Sequence, residues 1–271
     1  MNFLKGLLWI LALPFVVFYI LFMMLTAKLM ANSYKKDPES IPLKDRYKKV
    51  NTILSAIFYL IAIKPKIENR EMLFDKTMLY VGNHKSNIDP LVIFSILYKA
   101  GINVTFVAKK ELEKSFFSPL FDLIDTIYID RNNLRQVAKT IELQKNMVKE
   151  TGRGLVIFPE GTRMIEEDFG DFKPGALTSA YETKASIQPF AIANDIGCLE
   201  LKDKKNNKLP HRNLLVPREV IVSFLNPINS FDYMNINKEI TMKKIRGLIL
   251  NEYLRLKKVY KLKSYDQFAN K

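Results

Sequence analysis

From Gly6 to Ala27 the chain runs without a charged side chain (GLLWILALPFVVFYILFMMLTA). As a helix this run is about 30 Å long, enough to cross the hydrocarbon core of a bilayer. It passes directly into Lys28 with no small-x-small cleavage site, so it reads as a retained membrane helix rather than a signal peptide. No polar stripe marks it as a core helix, and Lys5 and Trp9 at its start suit a membrane interface. A second apolar run, Ile53 to Ile63, is too short to span comfortably and fits an interfacial helix and a core helix equally. Between the two, residues 32–46 (NSYKKDPESIPLKDR) are polar, carry Pro38 and Pro42, and read as a linker.

From about residue 65 the pattern changes. Short β-branched or aromatic runs at Thr77–Val81, Val104–Ala108, Thr126–Ile129, Leu155–Phe158, Ile187–Ala193 and Glu219–Phe224 predict strands, most of them apolar enough to be buried on both faces. Helical periods lie between them. Asn133–Lys149 puts Leu134, Val137, Ile141 and Val148 on one stripe, with Asn132 or Asn133 as cap, and Pro90–Lys99, Leu177–Thr183 and the basic, amphipathic Asn237–Tyr260 are further helices. Alternation of strands and helices predicts an α/β domain with a mixed, partly parallel sheet flanked by helices. The organisation expected is a membrane anchor at 1–31, a basic linker with an interfacial helix at 32–64, and a catalytic domain at 65–271.

Charge adds a location and a class of partner. The net charge of +14 over 271 residues attracts polyanions: nucleic acid, anionic lipid headgroups or phosphorylated substrates. Lys28, Lys35, Lys36, Lys44, Arg46, Lys48 and Lys49 follow the apolar run, whereas Lys5 alone precedes it, which predicts the main domain on the cytosolic face, held against anionic membrane lipid. No zinc-finger, RNP or homeodomain signature supports nucleic acid as the partner. A single cysteine, Cys198, and two histidines, His84 and His211, exclude an internal disulfide and argue against metal-dependent catalysis.

Two segments carry candidate chemistry. Tyr80–Pro90 (YVGNHKSNIDP) follows a predicted strand and precedes a predicted helix. If the loop curls, Asp89 at the helix entrance can accept a hydrogen bond from one nitrogen of His84 and leave the other as a base. Taken singly, the residues have plainer readings: Asp89 as an N-cap, Asn83 and Asn87 as turn formers, His84 as a bonded loop histidine, Ser86 as a loop contact. Ser86 lacks the Gly-x-Ser-x-Gly elbow of a nucleophile. The second segment, Leu155–Arg163 (LVIFPEGTR), runs from a strand into a turn where Gly161, Thr162 and the fork of Arg163 could cradle a phosphate, or form a plain turn. Phe172-Lys173-Pro174-Gly175-Ala176 and the strand-end clusters Lys109-Lys110-Glu111-Leu112 and Tyr128-Ile129-Asp130-Arg131 could add donors or be solvated loops.

In combination, these blocks resemble the glycerolipid acyltransferases, specifically the 1-acyl-sn-glycerol-3-phosphate acyltransferases: Asn83-His84-Lys85-Ser86-Asn87-Ile88-Asp89, then Lys109-Lys110-Glu111-Leu112, Ile129-Asp130-Arg131, Phe158-Pro159-Glu160-Gly161-Thr162-Arg163, Lys173-Pro174-Gly175-Ala176 and the strand around Gln188-Pro189. The resemblance covers about residues 65 to 225. It implies acyl transfer from a thioester, acyl-CoA or acyl carrier protein, to the sn-2 hydroxyl of lysophosphatidic acid, with no cofactor. It implies His84 as general base oriented by Asp89, phosphate contacts from Lys109, Arg131, Glu160, Gly161, Thr162 and Arg163, and support from Asn83, Ser86, Lys173, Pro174 and Gly175. Lys85 stands where glutamine is common, and Asp125 where a glycine usually precedes Ile-Asp-Arg. Rival readings are a sister enzyme acting on another lysophospholipid or on glycerol-3-phosphate, a membrane-tethered nucleic-acid-binding protein, and a non-catalytic lipid binder, which would not need His84 paired with Asp89.

Overall fold

The computed structural model describes residues 3–73, 78–130, 134–164, 168–200 and 216–262. Helix α1 (Phe3–Lys36) contains the apolar run and continues to Lys36, short of Pro38, which cannot donate to a helix. Ile20, Met24, Ala27 and Ala31 are buried at helical spacing, while Phe15, Phe18, Phe22, Leu25 and Leu29 face outward. Within Leu11–Lys36 an 18-residue window has mean hydropathy 2.0. One stripe thus docks on the body of the protein, and the rest is long and apolar enough to lie in a membrane. Helix α2 (Leu43–Leu60) buries Tyr47, Val50, Ile53, Leu54, Ile57 and Phe58, so the second apolar run belongs to a core helix.

Among the described residues, seven strands form one sheet: β1 (Ile63–Glu68), β2 (Met78–Gly82), β3 (Val104–Lys109), β4 (Ile127–Ile129), β5 (Gly154–Ile157), β6 (Ser186–Ala193) and β7 (Arg218–Phe224), in the order β1-β7-β6-β2-β5-β3-β4. Neighbours are parallel except β6 and β7, which are antiparallel. The six predicted strands are present with shifts of a residue or so at their ends. Strand β1 was not expected, because IKPKIE carries two lysines and a proline; it lies at the sheet edge, where a proline removes no central ladder bond.

Helices α3 (Asp89–Lys99), α4 (Ser118–Leu123), α5 (Leu134–Glu150), α6 (Thr178–Thr183) and α7 (Lys238–Val259) complete the architecture. The proposed α5 caps, Asn132 and Asn133, lie outside the described residues. Two apolar layers cover the sheet. Tyr80, Phe190 and Val222 point into the layer with α1–α4, and their neighbours Leu79, Ala191 and Ile221 into the one with α6 and α7, which is why these strands read as continuous apolar runs. Because β2, β3, β5 and β6 are parallel, their carboxyl ends deliver the His84 loop, Lys109, the Phe158–Arg163 turn and Asp195 to one edge.

Candidate active site

The His84 loop leaves β2 at Gly82, against which the Phe190 ring lies so closely that a Cβ would collide with it. Asn83 staples the loop to β6, donating from Nδ2 to Ile192 O (3.0 Å) and accepting at Oδ1 from Ile192 N (2.8 Å). The chain then curls, as a joint role for His84 and Asp89 demands. Oδ2 of Asp89, wholly buried at the start of α3, accepts from Lys85 N and Ser86 N at 2.9 Å each and lies 2.8 Å from His84 Nδ1. The N-cap of α3 is Ile88, without a side-chain cap bond, so Asp89 is no helix cap; as the first helical residue it is the acceptor that curls its own loop and the imidazole's partner. With Nδ1 protonated toward that carboxylate, Nε2 is the ring nitrogen available as a base. The ring stacks on Phe158 with centroids 4.6 Å apart.

Burial dominates the titration of the pair. It pulls the His84 imidazole down to about 4, against the negative charges of Glu160 and Asp195 that favour protonation. It pushes Asp89 up to about 7, against hydrogen bonds from Asp195 and from the Ser86 and Lys85 amides. His84 thus stands neutral at neutral pH, with burial opposing its protonated form.

The second segment forms the facing wall. Gly161 adopts φ +69°, a left-handed turn that L side chains rarely allow, and its amide donates to Phe158 O. Glu160, at the same turn, accepts at Oε1 from His84 N (2.9 Å) and at Oε2 from Gly170 N (3.2 Å). Its buried carboxylate braces the histidine's backbone and is not among the side chains that line the cavity. That cavity, about 500 Å³, is lined by His84, Asn87, Lys109, Gly161, Thr162 and Arg163 together with Phe106, Phe121 and Phe158. One apolar wall and one cationic wall therefore meet at His84, a shape suited to an amphiphile with an anionic head. Lys173 donates its amide to Pro159 O (3.1 Å), and Pro174–Leu177 forms a short 3-10 turn behind the block, with Lys173 and Gly175 exposed, so this motif shapes the turn from outside the cavity. Arg131 lies outside the described residues.

The two departures from the family pattern are absorbed by the structure. Lys85 is fully buried; its Nζ donates to Met164 O (3.0 Å) and sits over the rings of Phe169 and Tyr253. Asp125 adopts φ +56°, the left-handed conformation a glycine would supply, and its carboxylate takes Tyr34 Oη (2.6 Å), Arg46 Nη1 (3.0 Å) and Arg153 Nη1 (2.5 Å). Two acidic residues of the site carried no signal in the sequence. Asp195 follows β6, is fully buried, and lies beside Asp89: burial and the neighbouring carboxylate push it well above the usual carboxylate range. Glu200 reaches in from the divergent segment after β6 and bonds Ser86, Asn87 and Arg163.

A buried carboxylate bonded to an imidazole beside a cavity that presents Lys109 and Arg163 is an arrangement suited to general-base chemistry on an anionic substrate. The family model described as Acyltransferase matches residues 64–193. The Mycoplasma pneumoniae protein whose name reads "Probable 1-acyl-sn-glycerol-3-phosphate acyltransferase" is 35% identical over 88% of this chain and 88% of its own length. The Mycoplasma genitalium protein of the same name is 35% identical over 93% and 94%. The crystal structure of the 1-acyl-sn-glycerophosphate (LPA) acyltransferase PlsC from Thermotoga maritima superposes with a TM-score of 0.63 at 22% identity, covering 95% of this chain and 98% of that one, and shares the fold. The chain belongs to the 1-acyl-sn-glycerol-3-phosphate acyltransferase family.

Proposed function

We propose that this protein transfers a fatty acyl group from a thioester to the sn-2 hydroxyl of 1-acylglycerol-3-phosphate, forming phosphatidic acid. The observation that carries the reading is His84, held at 2.8 Å by buried Asp89 on the wall of a cavity that also presents Lys109, Thr162 and Arg163. Nε2 of His84 removes the hydroxyl proton as the oxygen attacks the thioester carbonyl. The new C–O bond forms, the C–S bond breaks, and the imidazolium returns the proton to the departing thiolate. Asp89 stabilises the imidazolium in between. Such a base contributes about 10²- to 10⁴-fold, and a thioester is already activated, so positioning plus one base suffices without a cofactor or metal. The thiol carrier, acyl-CoA or acyl carrier protein, is a substrate.

The domain works on the cytosolic face, drawn to anionic lipid by the lysines and arginine that follow the apolar run. The test is purified full-length protein with labelled acyl-CoA and acyl carrier protein donors against a panel of lysophospholipids and glycerol-3-phosphate. Lysophosphatidate should be the preferred acceptor, and a folded His84→Ala protein should be inactive with every pair. Arg163→Ala should raise the acceptor KM by about 10- to 150-fold, the loss of a charged hydrogen-bond pair, with donor KM unchanged. A His84→Ala enzyme within a few-fold of wild type would refute the mechanism, and preference for another acceptor would refute the substrate.

A further inference from the structure

The Glu200 side chain bonds both walls of the cavity mouth. Oε1 accepts from Asn87 N at 2.6 Å and from Arg163 Nη1 at 3.0 Å, and Oε2 accepts from Ser86 Oγ at 2.8 Å. Asn87 and Ser86 belong to the loop that carries His84, and the Ser86 amide also holds Asp89. Arg163 belongs to the opposite turn. A single carboxylate therefore spans the distance between the base and the cationic group facing it.

A carboxylate beside a phosphate site is unfavourable unless it performs a task that outweighs the repulsion. Two tasks are conceivable: Glu200 stands in for the phosphate on Arg163 until substrate displaces it, or it stays and aims the arginine. Burial decides between them. The Glu200 side chain is 4% exposed and fixed by two donors of the His84 loop, so it cannot swing out when an anion arrives. Stripping Arg163 from it would leave a buried carboxylate without its cation, which is costly. Arg163 is 30% exposed and lines the cavity, and a guanidinium has five N–H donors, so Nη1 can remain on Glu200 while the rest of the fork meets a phosphate.

We infer that Glu200 is a positioning residue for the acceptor: it holds Arg163 on the His84 loop and so fixes the separation between the phosphate contact and the base. That separation must match the one between phosphate and sn-2 hydroxyl in the acceptor, which makes Glu200 a determinant of acceptor choice. The inference rests on Arg163 being the phosphate contact.

The experiment is a double-mutant cycle in the full-length enzyme with 1-acylglycerol-3-phosphate, measuring acceptor KM, donor KM and kcat for wild type, Glu200→Ala, Arg163→Ala and the double variant. Glu200→Ala should raise acceptor KM about 10-fold with donor KM and kcat within about threefold, and should add less than about twofold on the Arg163→Ala background. Glu200→Gln, which keeps an acceptor for Asn87 and Arg163, should recover most of the loss. A lowered acceptor KM in Glu200→Ala would make Glu200 a competitor for the arginine and overturn the inference. An equal effect on both backgrounds would make it a loop brace only, with the same consequence. If Arg163→Ala raises acceptor KM and Glu200→Ala does not, this inference alone fails; if Arg163→Ala leaves it unchanged, the phosphate assignment falls and takes the inference with it. Should Glu200→Ala not fold, Glu200→Asp, too short to reach Ser86 and Arg163 together, should show the same KM pattern, and a wild-type acceptor KM in that variant overturns the inference.

Discussion

Replacing Asp89 by asparagine separates its two jobs. The amide oxygen can still accept from Lys85 N and Ser86 N, the two amides that Asp89 Oδ2 holds, so the loop should keep its curl. What disappears is the negative charge beside the imidazolium. With Nδ1 and Oδ2 at 2.8 Å, the charge centres lie about 4 Å apart, and at an effective dielectric near 20 their attraction is about 4 kcal/mol. Loss of that attraction in the transition state corresponds to roughly a 10³-fold fall in kcat, with little change in acceptor KM. Steady-state kinetics and thermal unfolding of the same preparation provide the assay: kcat should collapse while the midpoint stays within a few degrees of wild type. A kcat within tenfold of wild type would mean that Asp89 only curls its loop, and the general-base reasoning would lose its orienting group.

Because burial raises Asp89 to about 7, it is protonated below that pH and cannot stabilise the imidazolium, so kcat/KM should be full above about 7 and fall about tenfold per unit as pH drops; a flat profile from 5 to 8 would contradict this. Charged neighbours that modulate the profile are Glu160, Asp195, Glu200, Arg163 and Lys85. Deleting residues 1–15, which precede the buried Ile20, Met24, Ala27 and Ala31 stripe, should weaken vesicle retention at high salt while activity on micellar acceptor stays within a few-fold; unchanged retention would show that other surfaces anchor the protein. Asp125→Ala leaves Arg46 and Arg153 buried side by side, so about 3 to 5 kcal/mol of stability should go, a midpoint drop of at least ~6 °C by calorimetry; a smaller drop would mean that water replaces the carboxylate.

The strands that bear the chemistry were legible because β2, β5 and β6 are buried on both faces and so spell continuous β-branched or aromatic runs. His84 and Asp89 stood out by their spacing ahead of an Asp-Pro helix start, but taken singly they read equally as a bonded loop histidine and a cap; their roles came from the resemblance of the ordered blocks. Strand β1 was hidden because an edge strand tolerates Lys64, Pro65 and Lys66, which interrupt the β-branched and aromatic pattern that marked the other strands. Helix α4, at six residues, is too short for a period to emerge. Whether Ile53–Ile63 lay at an interface or in the core depended on what covers it, and local pattern does not contain that. Asp195 and Glu200 were invisible for a similar reason: each is a single acid in an irregular segment, and its meaning comes from groups about a hundred residues earlier that the sheet order brings alongside. Glu160 stood in a recognised block, yet its bonds to the His84 and Gly170 amides show it facing the scaffold.

Asp125 joins Tyr34 of α1 to Arg46 of α2 and to Arg153, which stands immediately before β5. This knot therefore sits at the amino-terminal end of the strand whose carboxyl end turns into Glu160 and Arg163, about 13 Å away along four residues of strand. The point where α1 is tied to the sheet is thus at the end of β5 opposite the catalytic turn, and the 2.8 Å contact of His84 with Asp89 is held by bonds at the carboxyl ends of the strands.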